Sequence, residues 1–271
     1  MSDFQTLRVN DYDMAYIEAG SGAPLVLVHG SLSDYRYWRP QMQPLSARRR
    51  VIAVSLRHYW PEDWEGRGDK FSPQQHADDL AGFLQELGAG PVDLVGHSRG
   101  GTVAYLAAQR NPDYVRTLTL AEPGIVTDDG QNNASAALDR EGFRGRALDM
   151  IRRGKRDEGL ALFIDTVSGK GTWSRIVPWI KQMNQDNAAT LIGQVAEREV
   201  QVYEEALQAL RMPLLLIGGA NSPQPYPAVL DTLKSWSPTA RRVTLPAASH
   251  AMNLWNAVAF NTALEPFLAK S

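Results

Sequence analysis

Six short runs of this chain are mostly apolar on both faces rather than alternating: Leu25–Val28, Val51–Val54, Val92–Val95, Leu118–Leu120, Leu214–Ile217 and Arg242–Leu245. That pattern belongs to strands of a central parallel sheet covered on both sides. Helical stretches lie between the runs. Residues 73–87 read as one: Ser72 caps it, Pro73 opens it, Gly88 follows it, and Ala77, Leu80, Ala81, Leu84 and Leu87 share a face. Thr102 to Gln109 and Asn253 to Leu268 read as two more, with Pro266 expected to disturb the second near its end. Strand–helix alternation implies right-handed crossovers and a doubly wound α/β sheet. Thr6–Val9 and Met14–Glu18 read as an antiparallel hairpin at the sheet edge. From about Gly124 to Leu210 the alternation stops and no convincing strand is visible. The expected organisation is one core domain, residues 1–123 and 211–271, interrupted by an all-helical insertion, 124–210. Basic residues crowd 140–156, but interleaved acids make a solvated helix face the plainer reading.

Composition excludes several function classes. With 28 Lys and Arg against 30 Asp and Glu, the net charge of −2 lacks the basic excess of a nucleic-acid-binding protein. The absence of cysteine excludes disulfides, thiolate metal sites and cysteine nucleophiles. MSDFQTLRVNDYD has neither a basic nor an apolar leader segment, and no apolar run approaches the roughly twenty residues of a bilayer span. A cytoplasmic protein without membrane or nucleic-acid partners, monomeric or homodimeric, is expected. No phosphate loop, dinucleotide fingerprint or metal-ligand cluster is visible, so no cofactor or metal is expected. Arg67-Gly68-Asp69 and the formal glycosylation sequon Asn133-Ala134-Ser135 read as chance.

Gly96-His97-Ser98-Arg99-Gly100 fits G-x-S-x-G between a strand and a helix, the context that motif requires. Its glycines permit a sharp turn that holds Ser98 in strained backbone with its hydroxyl in a cleft. Of the five histidines, His76 lies in a helix and is expected to face solvent. His97 lies inside the turn and is aimed away from Ser98, while His29 reads as structural. His58, after Val51–Val54, is a candidate ligand contact. His250 lies in a loop after the last strand.

With the His29-Gly30 turn, the Gly96–Gly100 elbow and the Ser249-His250 loop, the chain resembles the α/β-hydrolase superfamily nearly end to end. The resemblance implies that fold: a mostly parallel sheet, helices on both faces, and residues 124–210 as a helical cap. It implies Ser98 as nucleophile, His250 as base, and backbone N–H groups of Ser31 and Arg99 as the oxyanion hole. One feature departs from the family pattern. The loop Gly218–Pro223, where many members carry the third triad residue, has no carboxylate, and Asp231 falls within an expected helix. Glu122, at the end of the strand after the nucleophile helix, is the well-placed acid; some members carry it there. Its plainer reading is a strand-end carboxylate capping the insertion's first turn.

A serine nucleophile suits acyl transfer, whereas epoxide hydrolases and dehalogenases of this fold use a carboxylate. The expected reaction is therefore hydrolysis of a carboxylic ester or lactone through an acyl-enzyme. His29, Trp38, His58, Trp60, Trp173 and Trp179 are the candidate substrate contacts, with Tyr37 and Tyr59 nearby. Such an aromatic wall would favour an apolar or aromatic substrate moiety; packing of cap against core is the alternative role. The other functional readings are a carbon–carbon bond hydrolase of a diketone-type substrate and a hydrolase-derived ligand receptor.

Overall fold

A computed structural model describes residues 4–68, 70–127 and 140–269. The sequon at 133–135 and Asp69 lie outside them. Among the described residues eight strands form one sheet in the order β1-β2-β4-β3-β5-β6-β9-β10. They are β1 (Gln5–Val9), β2 (Tyr12–Ala19), β3 (Pro24–Val28), β4 (Arg50–Val54), β5 (Val92–His97), β6 (Val115–Ala121), β9 (Leu214–Gly219) and β10 (Arg241–Leu245). The β1–β2 hairpin is antiparallel at one edge, β2 pairs antiparallel with β4, and every other pairing in the sheet is parallel. β3 and β5 are buried at every position, so both sheet faces are covered, as their continuous apolar runs require.

Helices α1 (Arg39–Ser46), α2 (Pro73–Leu87) and α3 (Arg99–Arg110) belong to the first half of the core. Ser72 accepts the Gln75 N–H at the start of α2, and Gly88 closes it in the left-handed region at φ 60°. His76 is fully buried, contrary to the expectation that it faces solvent. It stands four residues before Leu80 on the stripe that α2 turns toward the core.

Between β6 and β9 run α4 (Arg140–Arg152), α5 (Arg156–Ser168), α6 (Thr172–Arg175), α7 (Pro178–Asp186), α8 (Leu191–Ala196) and α9 (Glu204–Gln208). The segment also holds two strands of two residues each, β7 (Val126–Thr127) and β8 (Gln201–Val202). They pair in parallel where the chain leaves and re-enters the core, a junction too short for sequence periodicity to show. Asp149, Arg153, Lys155 and Glu158 are exposed and joined in local ion pairs, a solvated helix face.

After β9 come α10 (Tyr226–Trp236), α11 (Met252–Trp255) and α12 (Ala257–Leu268). The single last helix expected from Asn253 is divided at Asn256, whose side chain accepts the Ala259 N–H and starts α12 afresh. Pro266 does not end α12, which continues to Leu268. Among the described residues no helix is long and apolar enough to cross a membrane, and no cluster of metal-ligating side chains occurs.

Candidate active site

The site lies at the carboxyl ends of β3, β5 and β6, where parallel sheets of this kind expose their loops. Ser98, between β5 and α3, has φ 53° and ψ −123°. That is a costly conformation for a residue with a side chain, about 1–3 kcal/mol, and the surrounding backbone enforces it. A Cβ on Gly96 would collide with the carbonyl of Gly100, and one on Gly100 with the carbonyls of Val28 and His29. The two glycines thus allow strand, elbow and helix to close on one another. The Ser98 N–H donates to Ala121 O at 3.0 Å, and Ser98 O accepts from Gly124 N at 2.9 Å. These bonds tie the elbow to the end of β6.

Glu122 follows β6 directly, with φ 44°. Its buried carboxylate is fixed at both oxygens. Oε2 lies 2.7 Å from His250 Nδ1, and Oε1 accepts the Gly219 N–H at 2.8 Å. His250 Nδ1–H is therefore the donor, which leaves Nε2 for a partner in the cleft. The imidazole is held on its faces as well. Tyr226 stacks on it with ring centroids 3.9 Å apart and planes 16° apart, and His97 approaches at 4.7 Å. His97 Nε2–H donates to the His250 carbonyl at 2.7 Å. Burial, and then the neighbouring His250, hold the His97 pKa well below the usual histidine value. His97 is thus a neutral donor that bolts the His250 loop to the elbow. Ser98 Oγ faces the same cavity as His250 and is not hydrogen-bonded to it. Such contacts often tighten only when substrate arrives.

The loop after β3 passes close to the elbow: a Cβ on Gly30 would lie 3.0 Å from Ser98 Cβ. Ser31 lines the cavity beside it. Ser31 and Arg99 thus line the cavity together with Ser98, and α3 begins at Arg99, adding the positive end of its dipole. His29 shapes this turn from behind. Its Nε2 accepts the Leu56 N–H at 3.0 Å and its Nδ1 bonds Gly30 O at 2.8 Å. Burial lowers its pKa to about 3, so it stays neutral.

Ser98 and His250 open onto a cavity of about 90 Å³. Its apolar wall is made by Phe143 and Phe163 of α4 and α5, Ile180 and Met183 of α7, and Leu254 and Trp255 of α11. Tyr37 lines it too. Burial and the Glu122 carboxylate push the Tyr37 pKa well above 10, so its phenol keeps its proton.

All six expected substrate contacts lie elsewhere: His29, Trp38, His58, Trp60, Trp173 and Trp179 do not line this cavity. Trp38 is fully buried against Phe260 and Tyr37. His58 bonds Glu62 at 2.9 Å and stacks on Trp64. Trp60 packs against Tyr35 beneath the Arg36 guanidinium. Trp173 is held by Asp165 and covered by Lys181, and Trp179 by Arg39. Aromatic size in a loop is a poor guide to the cavity, because the same property serves packing of the helical segment. Nothing in the local sequence marks Tyr226 and Phe163 as cavity residues, because only the folded helical segment and the loop after β9 bring them to the cavity that Ser98 lines.

Residues 23–257 match the sequence model of the alpha/beta hydrolase fold family. The chain belongs to this family. The hydrolase is 23% identical to (E)-2-((N-methylformamido)methylene)succinate hydrolase of Acinetobacter baylyi over 97% of each chain. It is 35% identical to a soluble epoxide hydrolase of Corynebacterium sp., but over 44% of this chain and 41% of that one. The hydrolase thus aligns with less than half of the epoxide hydrolase. Among solved structures it superposes on the esterase EaEST of Exiguobacterium antarcticum with a TM-score of 0.84, 19% identity and all of both chains covered. The enol-lactonase of Burkholderia xenovorans LB400 gives 0.79 at 18% identity over 97% of this chain and 99% of that one. These two likenesses establish the shared fold.

Proposed function

We propose that this hydrolase cleaves a carboxylic ester or lactone with an apolar moiety through an acyl-enzyme on Ser98. The observation that carries the reading is the joint geometry of Ser98, forced into a strained elbow, and His250, whose Nδ1 is held 2.7 Å from Glu122 in the same cavity. In this reading His250 Nε2 takes the Ser98 proton as Oγ attacks the carbonyl. Glu122 keeps the ring in the required tautomer and stabilises the imidazolium. The Ser31 and Arg99 N–H groups bind the oxyanion; loss of one such donor typically costs about 3–4 kcal/mol. His250 then protonates the leaving group, and water releases the acid. Residues 124–210 serve as the lid whose apolar side chains close over the acyl or alcohol part.

Serine at the elbow favours acyl transfer over the epoxide opening of the partial relative, which calls for a carboxylate nucleophile. A carbon–carbon bond hydrolase remains the second enzymatic reading: among relatives, the 2-hydroxy-6-oxo-2,4-heptadienoate hydrolase of Pseudomonas putida is 37% identical over 38% of this chain. Turnover of p-nitrophenyl esters of graded chain length, of lactones, and of a diketone monitored for its acid and ketone products tests this. Turnover of an ester or lactone supports the proposal, and turnover of the diketone alone would replace it.

A further inference from the structure

Arg99 occupies two places at once. Its backbone N–H flanks Ser98, while its side chain runs into a buried cluster that the reaction scheme above does not use. There Nη1 is ion-paired with Glu197, and Nη2 lies 3.2 Å from His76 Nδ1. The guanidinium carbon sits 4.8 Å over the Phe71 ring. Burial, reinforced by the Arg99 cation, holds the His76 pKa well below its usual value. His76 is therefore neutral and its Nδ1 accepts from Arg99. Among the described residues, Glu197 is the one carboxylate paired with this buried cation.

Glu197 comes from the helical segment, one residue beyond α8, and its N–H returns to Gly193 O at 3.1 Å. Gly193 completes the junction. A Cβ there would collide with the Phe71 ring, so the bare glycine lets α8 lie directly on Phe71. Two residues one helical turn apart thus key α8 to the core: Gly193 onto Phe71 and Glu197 onto Arg99. Phe71 and His76 are themselves in edge contact at 4.9 Å.

We infer that Glu197 is a positioning residue for the oxyanion hole: by fixing the Arg99 side chain it sets the first residue of α3, and so couples docking of the helical segment to the Arg99 N–H. The inference rests on the serine-hydrolase reading. The physical ground is tolerance. Donors to an oxyanion act only when held within about 0.5 Å of the productive position. The guanidinium takes its place from one carboxylate and one imidazole, while Arg99 Nε and Glu197 Oε2 are buried without a hydrogen-bond partner. Released from Glu197, the same cation is buried without a counter-charge, and the first residue of α3 loses one of the two polar contacts that fix its side chain beside the cavity.

The test compares wild type, Glu197→Gln, and the double variant Arg99→Met/Glu197→Met, which removes both charges while keeping bulk. For each, kcat and KM on a p-nitrophenyl ester are measured with the inhibition constant of a boronic acid that forms a tetrahedral adduct, and Ser98 is titrated with a fluorophosphonate. Both variants should label at Ser98 and keep KM within about threefold. Both should lose about 10- to 100-fold in kcat, with the boronic acid weakened by a similar factor. The double variant should do so with its melting temperature near wild type, because an apolar pair replaces the ions without leaving a lone charge. A purely structural ion pair would give the opposite result: lower melting temperature for Glu197→Gln, with kcat and boronic-acid affinity unchanged in both variants. That would overturn the positioning role alone. A wild-type protein that the fluorophosphonate does not label at Ser98 would overturn the serine reading together with it.

Discussion

Gly219 donates its backbone N–H to Glu122 Oε1 at 2.8 Å, across the boundary between β9 and β6. The loop after β9 therefore supplies a donor to the acid instead of an acid to His250. In that loop Asn221 N–H bonds Ala248 O at 2.8 Å, and Ser222 has no charge to offer. Asp231 is exposed and paired with Arg242. Among the described residues one carboxylate thus reaches the imidazole, from the end of the neighbouring strand, with the extra methylene of glutamate spanning the gap.

Glu122→Gln should lower kcat by about 10²–10⁴, because the amide removes the charge that stabilises the imidazolium and unsettles the tautomer. Ser222→Ala should cost far less. Steady-state kinetics on one ester decide between them; full activity in Glu122→Gln with loss in Asp231→Asn would move the acid to the later strand.

Specificity should follow the cavity wall and not the tryptophans. Phe163→Ala or Ile180→Ala enlarges the apolar end and should shift preference toward longer or bulkier acyl groups, visible as a change in KM across a chain-length series. Trp173→Ala and Trp179→Ala should instead lower the melting temperature, since each anchors packing outside the cavity. Large aromatic truncations in packed positions typically cost about 3–5 kcal/mol. Tryptophan variants with altered chain-length preference and unchanged melting temperature would reverse this division.

Folding stability should fall as pH drops below about 6.5. His29, His76 and His97 are buried and held neutral, with pKa values depressed by burial first, to about 3 for His29. The unfolded chain takes up protons at these residues near pH 6.5 while the folded chain does not. The stability they carry is thus complete above that pH and is lost as pH falls toward the folded values. Each contributes a slope of about 1.4 kcal/mol per pH unit within that window. Urea unfolding at pH 7.5 and 5.5 measures it, and His29→Gln should reduce the slope. Equal stability at the two pH values would show that the three rings are not neutral by burial.

Local signals made the frame legible. Strand β5, the Gly96–Gly100 elbow and α2 are each set by residues within one or two turns of one another, so their bounds can be read from caps, glycines and apolar runs. His250 was legible because it stands in a loop after a recognisable strand, and Glu122 because β6 ends where its apolar run ends. The cavity wall was not legible. Phe163, Ile180 and Tyr226 reach the cavity beside Ser98 only after the helical segment and a distant loop fold over the sheet, and nothing in their local pattern separates them from ordinary core. His76 had a usable signal in its spacing from Leu80, Leu84 and Leu87 on one helical face, but a titratable side chain there reads as solvent-facing until its partner, Arg99, is in place.

Ester turnover by purified Ser98→Ala tests the nucleophile assignment without an intermediary. The substitution removes one hydroxyl from a backbone that Gly96 and Gly100 already hold, so the folded structure and melting temperature should survive. With Ser98 as nucleophile, kcat should fall by about 10⁴–10⁶ with substrate still bound. An unchanged rate in the folded variant would contradict it and remove Ser98 from the mechanism.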